Sequence, residues 1–151
     1  MPDYSHSTTL PFSADQIYAL VFDVAAYPQF LPWCLGARLR KKDANNFDAD
    51  LIVGFKGLRE KFTSRVYGSK DLEDKTGLMI ESKLVQGSFS HLLNRWQFQD
   101  EPQGCKIDFY VSFKFKSAFL SALLEPIFLQ AQRKMIAAFE KRAFALYQPI
   151  V

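Results

Sequence analysis

Ile127-Phe-Leu-Gln-Ala-Gln-Arg-Lys-Met-Ile-Ala-Ala-Phe-Glu-Lys-Arg-Ala-Phe-Ala-Leu-Tyr147 decides how this chain folds. Ile127, Phe128, Ala131, Met135, Phe139, Ala143 and Leu146 recur at three- and four-residue steps. Gln132, Arg133, Lys134, Glu140, Lys141 and Arg142 mostly fall between them. That spacing predicts a long amphipathic helix with one wide apolar stripe. Counted from Pro126, which suits a first helical position, it is about 22 residues and roughly 33 Å long. Ala118 to Leu124 reads as a further apolar helical turn, with Pro126 as a kink or a fresh start. A stripe this long needs a broad apolar surface to lie on.

The residues upstream supply that surface. Tyr4–Leu10 reads as a first strand and an edge, ended by Pro11. Ser13-Ala-Asp-Gln16 is a capping box that opens a short helix to about Phe22, and Asp23–Tyr27 reads as a second turn or short helix. Pro28 and Pro32 force an irregular path through Tyr27–Cys34. Six more strands follow at 35–42, 47–55, 60–67, 78–84, 92–98 and 106–116. Phe47, Ala49, Leu51, Val53 and Phe55 share one face. So do Phe62, Ser64 and Val66, then Leu78, Ile80, Ser82 and Leu84, then Leu92, Asn94, Trp96 and Phe98, and finally Ile107, Phe109, Val111, Phe113 and Phe115. Turns are expected at 43–46, 69–71 with 74–77, 86–87 and 102–104. Period-two alternation means one covered face and one wet face. The expected fold is α+β, in one domain over 1–151: an antiparallel sheet of about seven strands curved around the C-terminal helix, with one or two short helices after strand 1. This is the helix-grip arrangement.

Composition narrows the function. The 151 residues include 48% hydrophobic side chains, with fifteen phenylalanines that pack a bulky core or line a pocket. A net charge of +3 is too small to argue for DNA. Cys34 and Cys105 lack metal-ligand spacing and are expected as free thiols, and no metal site is expected from them with His6 and His91. The N-terminus has no apolar signal core, and no apolar run reaches the roughly 18 residues of a membrane span. A cytoplasmic protein, peripheral at the inner face of a membrane, is expected. No P-loop, dinucleotide fingerprint or nucleophile elbow is present. Asp48 and Asp50 form a carboxylate pair on the wet face and read as surface charge.

Four segments carry a family likeness: Asp23-Val-x-x-Tyr27-Pro-x-Phe30-Leu-Pro-Trp-Cys34, Phe55-x-x-Leu58-Arg-Glu-x-Phe62-Thr-Ser-Arg-Val66, Leu92-x-Asn94-x-Trp96-x-Phe98 and Phe113-x-Phe115-Lys-Ser117. Together, in order and across nearly the whole chain, they resemble the coenzyme Q-binding family of START-like proteins. That family includes the mitochondrial quinone chaperone and the bacterial RatA-type ribosome-association toxin. The chain departs from it at Gly87-Ser-Phe89, where members often have Gly-Pro-Phe. The resemblance implies a cavity between sheet and helix, with an isoprenoid quinone, ubiquinone, as its ligand.

On that basis Asn94 is expected to donate to a quinone carbonyl, with Trp96 or Phe113 stacked on the ring. Ser64 and Ser82 would add polar contacts. Phe128, Met135 and Phe139, with Leu51 and Val53 opposite, would line the tail. Tyr27, Phe30, Leu31 and Trp33, with Phe119 and Leu120, would form an apolar mouth able to dip into a bilayer. Arg38, Arg40, Lys41, Lys42, Lys114 and Lys116 stand nearby. The expected function is quinone carriage for respiratory electron transfer, with no chemical step and no required cofactor. The alternative is RatA-type binding to the large ribosomal subunit, through phosphate contacts from Arg59, Lys61 and Arg65. A third reading is an aromatic cyclase.

Overall fold

The computed structural model describes residues 2–55, 57–70 and 77–150, with the backbone alone at 41, 42, 55 and 58. In chain order the elements are β1 (Asp3–Leu10), α1 (Ala14–Phe22), a 3-10 helix (Val24–Gln29), β2 (Cys34–Asp43), β3 (Asn46–Phe55), β4 (Leu58–Ser69), β5 (Leu78–Gln86), β6 (Phe89–Glu101), β7 (Gly104–Phe115) and α2 (Ala118–Leu146). The seven strands form one antiparallel sheet in the order β1-β7-β6-β5-β4-β3-β2. Consecutive strands from β2 to β7 are hairpin neighbours, and only β1 returns to the far edge. The architecture read from the residues is therefore the observed one. The turn expected across 71–76, the inward face of Phe55 and the side chains of Lys41 and Lys42 lie outside the described residues.

The inward faces follow the period-two pattern. Phe47, Ala49 and Leu51 on β3, Val66 on β4, Ile80 on β5, Leu92, Trp96 and Phe98 on β6, and Ile107, Phe109, Val111, Phe113 and Phe115 on β7 are all buried. Register shifts at Cys34/Gly36, Thr63/Ser64 and Phe89/His91 mark bulges, which bend and twist the strands that carry them. The capping box of α1 forms as expected: Ser13 Oγ accepts from the Gln16 amide at 3.1 Å and Gln16 Oε1 accepts from the Ser13 amide at 3.0 Å. Gly68 is a glycine because α1 crosses it closely; a Cβ there would lie 2.0 Å from the Tyr18 hydroxyl oxygen.

Helix α2 departs from the expectation at its start. It is one continuous run of 29 residues beginning after Ser117, whose side chain caps the Leu120 amide at 3.1 Å, and Pro126 sits inside it. Proline there removes one backbone donor, the one that would serve the carbonyl of Ala122. Ala122 and Pro126 are both exposed, so water can serve that carbonyl at small cost. The apolar stripe is also rotated from its expected position. Gln132 and Ile136 are buried alongside Met135, Phe139 and Ala143, whereas Leu146 is 49% exposed.

The two halves of α2 contact the sheet differently. Toward the C-terminus Phe139 makes edge-to-face contacts with Tyr27, Phe30 and Trp96 at centroid distances of 5.3, 5.2 and 5.3 Å. Ring contacts of this geometry add to the burial free energy of each ring. Toward the N-terminus Phe128 reaches Phe113 of β7 at a centroid distance of 4.4 Å, and a cavity opens between the helix and the sheet beside it. Phe139→Ala is expected to destabilise the protein by about 3–5 kcal/mol, the usual cost of removing a ring from a filled core, measured by urea unfolding.

Candidate functional site

The cavity of about 190 Å³ lies between the inward faces of β3–β7 and the helix from Leu124 to Met135. Its wall is mostly apolar: Leu51, Val53, Val66, Ile80, Leu92, Val111, Ile127, Ala131 and Met135, with aromatic panels from Tyr27, Trp33, Phe62, Phe89, Trp96, Phe115 and Phe128. The rings support one another. Phe89 stacks on Phe115 at 4.5 Å, and Phe128 meets Phe89 at 5.4 Å and Phe113 at 4.4 Å.

Nine of the eleven residues expected to line a ligand site face this space: Trp33, Leu51, Val53, Ser64, Ser82, Asn94, Trp96, Phe128 and Met135. Phe113 and Phe139 do not. Phe113 is 0% exposed and lies under Phe128 as a second layer. Phe139 closes the far end of the core with Tyr27 and Phe30. Phe113 on β7 and Phe139 on α2 each sit at an inward position of its own element, and period alone cannot tell a wall residue from the layer behind it.

The mouth expectation also needs correction. Leu31 is 1% exposed and belongs to the core. Phe30 is half-buried between Phe139 and the Arg142 guanidinium, 5.3 Å from its ring. Tyr27 lines the cavity and donates its hydroxyl to the Val21 carbonyl; burial pushes its phenol well above the usual range. Of the expected mouth residues it is those of helix α2 that stand out: Phe119 is 75% exposed and Leu120 half-buried, with Leu123 48% exposed beside them.

Ser82 and Asn94 are directly paired across β5 and β6, and Ser64 stands on the neighbouring strand β4. Gln132 enters from the helix and is 8% exposed. Among the described residues, none hydrogen-bonds the side chains of Ser64, Ser82, Asn94 or Gln132, and the buried indole Nε1 of Trp33 has no partner. Of these groups only the Trp33 indole is fully enclosed without a partner, which costs about 1–3 kcal/mol; Ser82 and Asn94 are half-buried in the cavity wall. Gln132 was not singled out in the sequence, because on the helical pattern it falls among the polar positions. Its signal was its place one residue from the stripe, at i+4 from Phe128.

Titratable groups in the wall, among the described residues, are Tyr27, Glu60 and Lys61, the last two at the open end. Ser88 donates to Glu60 Oε2 at 2.9 Å, tying the β5–β6 turn to β4 there; this is the serine that replaces the family's frequent proline. No cluster of three or more metal-ligating side chains occurs among the described residues. Both cysteines are buried. Burial pushes the Cys105 thiol up to about 12 and that of Cys34 above its usual value, which leaves both poorly nucleophilic.

On the outer face, Asp48 is not the simple surface charge it was read as. It is 4% exposed and accepts from Arg65 Nε at 2.9 Å and Nη2 at 3.3 Å. Asp50 accepts from Thr63 at 2.6 Å and Arg40 at 2.8 Å. Those hydrogen bonds, Thr63's first, outweigh burial and hold the Asp50 carboxyl below its usual range.

Residues 10–140 match the family described as polyketide cyclase / dehydrase and lipid transport. The chain belongs to this START-like family. A relative from Rickettsia prowazekii, named ribosome association toxin RatA, is 36% identical over 143 residues, covering 95% of this chain and 97% of that one. A Xenopus laevis relative, named mitochondrial coenzyme Q-binding protein COQ10 homolog B, is 34% identical over 149 residues, covering 96% of this chain and 59% of that one. A START superfamily protein from Mycobacterium smegmatis superposes with a TM-score of 0.77 at 20% identity, covering 96% of this chain and 99% of that one, a likeness of fold. The family's description joins cyclisation with lipid transport, and the two relatives are named for ribosome association and for coenzyme Q binding.

Asp50→Asn should lower stability near pH 7, because a carboxyl with a depressed folded pKa stabilises the fold while ionised. The gap from the parent protein is present above the unfolded value of about 4 and closes as pH falls through the depressed folded value, as read by urea midpoints across that range.

Proposed function

We propose that this START-like protein binds an isoprenoid quinone, ubiquinone, in the cavity and carries it without chemical change, in support of respiratory electron transfer. The carrying observation is the set of polar groups without protein partners set in an otherwise apolar wall. A quinone offers carbonyl oxygens to donors such as Asn94, Gln132 and the Trp33 indole, and an apolar body to the rest. Trp96 and Phe128 present ring faces for stacking. The quinone-binding name of one relative supports the same reading. A cavity of about 190 Å³ holds a ring and the start of a tail, so a long tail would trail out of its open end. The lip of α2 then serves exchange at the inner face of a membrane, the location expected for such a carrier.

Catalysis finds little to work with in this wall. Acid–base chemistry needs a group that gains and loses protons near neutrality. Tyr27 is held far from that range and is engaged with Val21, while Glu60 and Lys61 stand at the rim. The carriage proposed involves no cofactor, with the quinone as cargo.

Trp33 and Trp96 both line the cavity, so quinone binding reports on itself. Titration with a short-tailed ubiquinone should quench tryptophan emission saturably. Asn94→Leu should weaken the apparent affinity by roughly threefold to tenfold, the loss of one hydrogen bond. Quenching that stays linear, as in free collision, would overturn the reading.

A second reading rests on the relative named for ribosome association at 36% identity. It predicts co-sedimentation with large ribosomal subunits that disappears at high salt. Arg59 and Lys61 are the residues to reverse, since Arg65 is paired with the buried Asp48 carboxylate and its reversal would set two carboxylates against each other. Retained co-sedimentation in Arg59→Glu would exclude that strand as the contact.

A further inference from the structure

Beyond the cavity, the structure gathers cations on the outer face of the sheet. Arg38 and Arg40 on β2, Lys61 on β4 and Lys116 just before α2 line an open basin of about 610 Å³, floored by Thr63 and the turn at Gly87 and Ser88. Its one carboxylate is Asp50, already engaged by Thr63 and Arg40. Arg38, Lys61 and Lys116 form no salt bridge with any described carboxylate. The basin therefore carries a net excess of positive charge over Asp50 and the neighbouring Glu60, in a concave place where an oxyanion can meet several donors at once. Guanidinium forks and ammonium groups together are the donor set suited to a phosphate.

The basin joins the cavity. The ladder between β4 and β5 stops at Thr63–Gln86, so 58–62 of β4 continue without a β5 partner. At that split, Lys61, Phe62 and Ser88 line both spaces. Lys116 leads directly into the lip, where Phe119 is 75% and Leu123 48% exposed. On the same outer face Ile52, paired with Lys61, is 37% exposed. Free cations beside projecting apolar side chains match a bilayer surface, where chains enter the acyl boundary and cations take headgroup phosphates. A nucleic acid would use the cations and leave the large apolar side chains in water.

We propose that this basin binds the phosphate of an anionic phospholipid headgroup and so seats the open end of the cavity on the membrane. The proposal deepens the carrier reading and rests on it for what the open end delivers, but the docking stands on separate residues.

The full chain is tested by flotation with phosphatidylcholine vesicles, with and without phosphatidylglycerol. Binding should require phosphatidylglycerol and fall at high salt. The double variant Arg38→Glu/Lys116→Glu should lose at least about tenfold in vesicle affinity, from two reversed charges near the surface. Neither residue lines the cavity, so its quenching by short-tailed ubiquinone should match the parent protein. Phe119→Asp should lose vesicle binding with the basin intact. Equal binding to both vesicle types, or an unaffected double variant, would overturn the proposal. So would binding of inorganic phosphate or of total RNA without binding of vesicles. Normal quenching with no vesicle binding sinks the docking site alone; vesicle binding without quenching sinks the quinone reading alone.

Discussion

Phe139 wedged among Tyr27, Phe30 and Trp96 is the contact on which the rest depends. It clamps one half of a long helix to the sheet. A rigid rod clamped at one end over a curved surface cannot follow that surface along its whole length. The other half touches the sheet through Phe128, against Phe113 and Phe89, and a hollow remains beside that contact. The hollow follows from clamp and curvature together, and bulges in β2, β5 and β6 supply part of the curvature.

Polar groups in that hollow then take on meaning. A serine on a strand is cheap at a wet surface and costly in a closed core. Ser64, Ser82 and Asn94 lie on three adjacent strands among Val66, Ile80, Leu92 and Trp96. They are tolerated because the helix does not press down on them. The outer faces of the same strands show the contrary solution. There Asp48, Asp50, Arg65 and Arg40 satisfy one another across β2–β4, and Glu81 with Arg95 does the same across β5 and β6. One period-two pattern thus sends self-satisfied polar pairs outward and leaves unpaired ones inward.

Much of this was legible beforehand. The alternation in Ile107, Phe109, Val111, Phe113 and Phe115 identified β7 and its buried face, and the capping box placed α1. The likeness of the Tyr27–Cys34 and Leu92–Phe98 segments pointed to the START-like family that the comparisons bear out. Pro126 misled, because a proline marks a helix start or break by local rules, and only the exposure of Ala122 makes it tolerable within the helix. Leu31 misled in a similar way. Prolines on both sides fix an irregular path, but the direction in which that path carries a side chain depends on what packs against it.

Local chemistry in the chain was sufficient to set the elements, their order, the inward face of each strand and the presence of one covering helix, because those follow from periods of two and about 3.6 and from caps and turns. It could not set the rotation of α2, the burial of Gln132, the second-layer position of Phe113 or the meeting of Lys61 and Lys116 around one basin. Those depend on how far apart two packed surfaces come to rest. That separation is decided by the volumes of rings from distant parts of the chain, and no window of sequence contains them all.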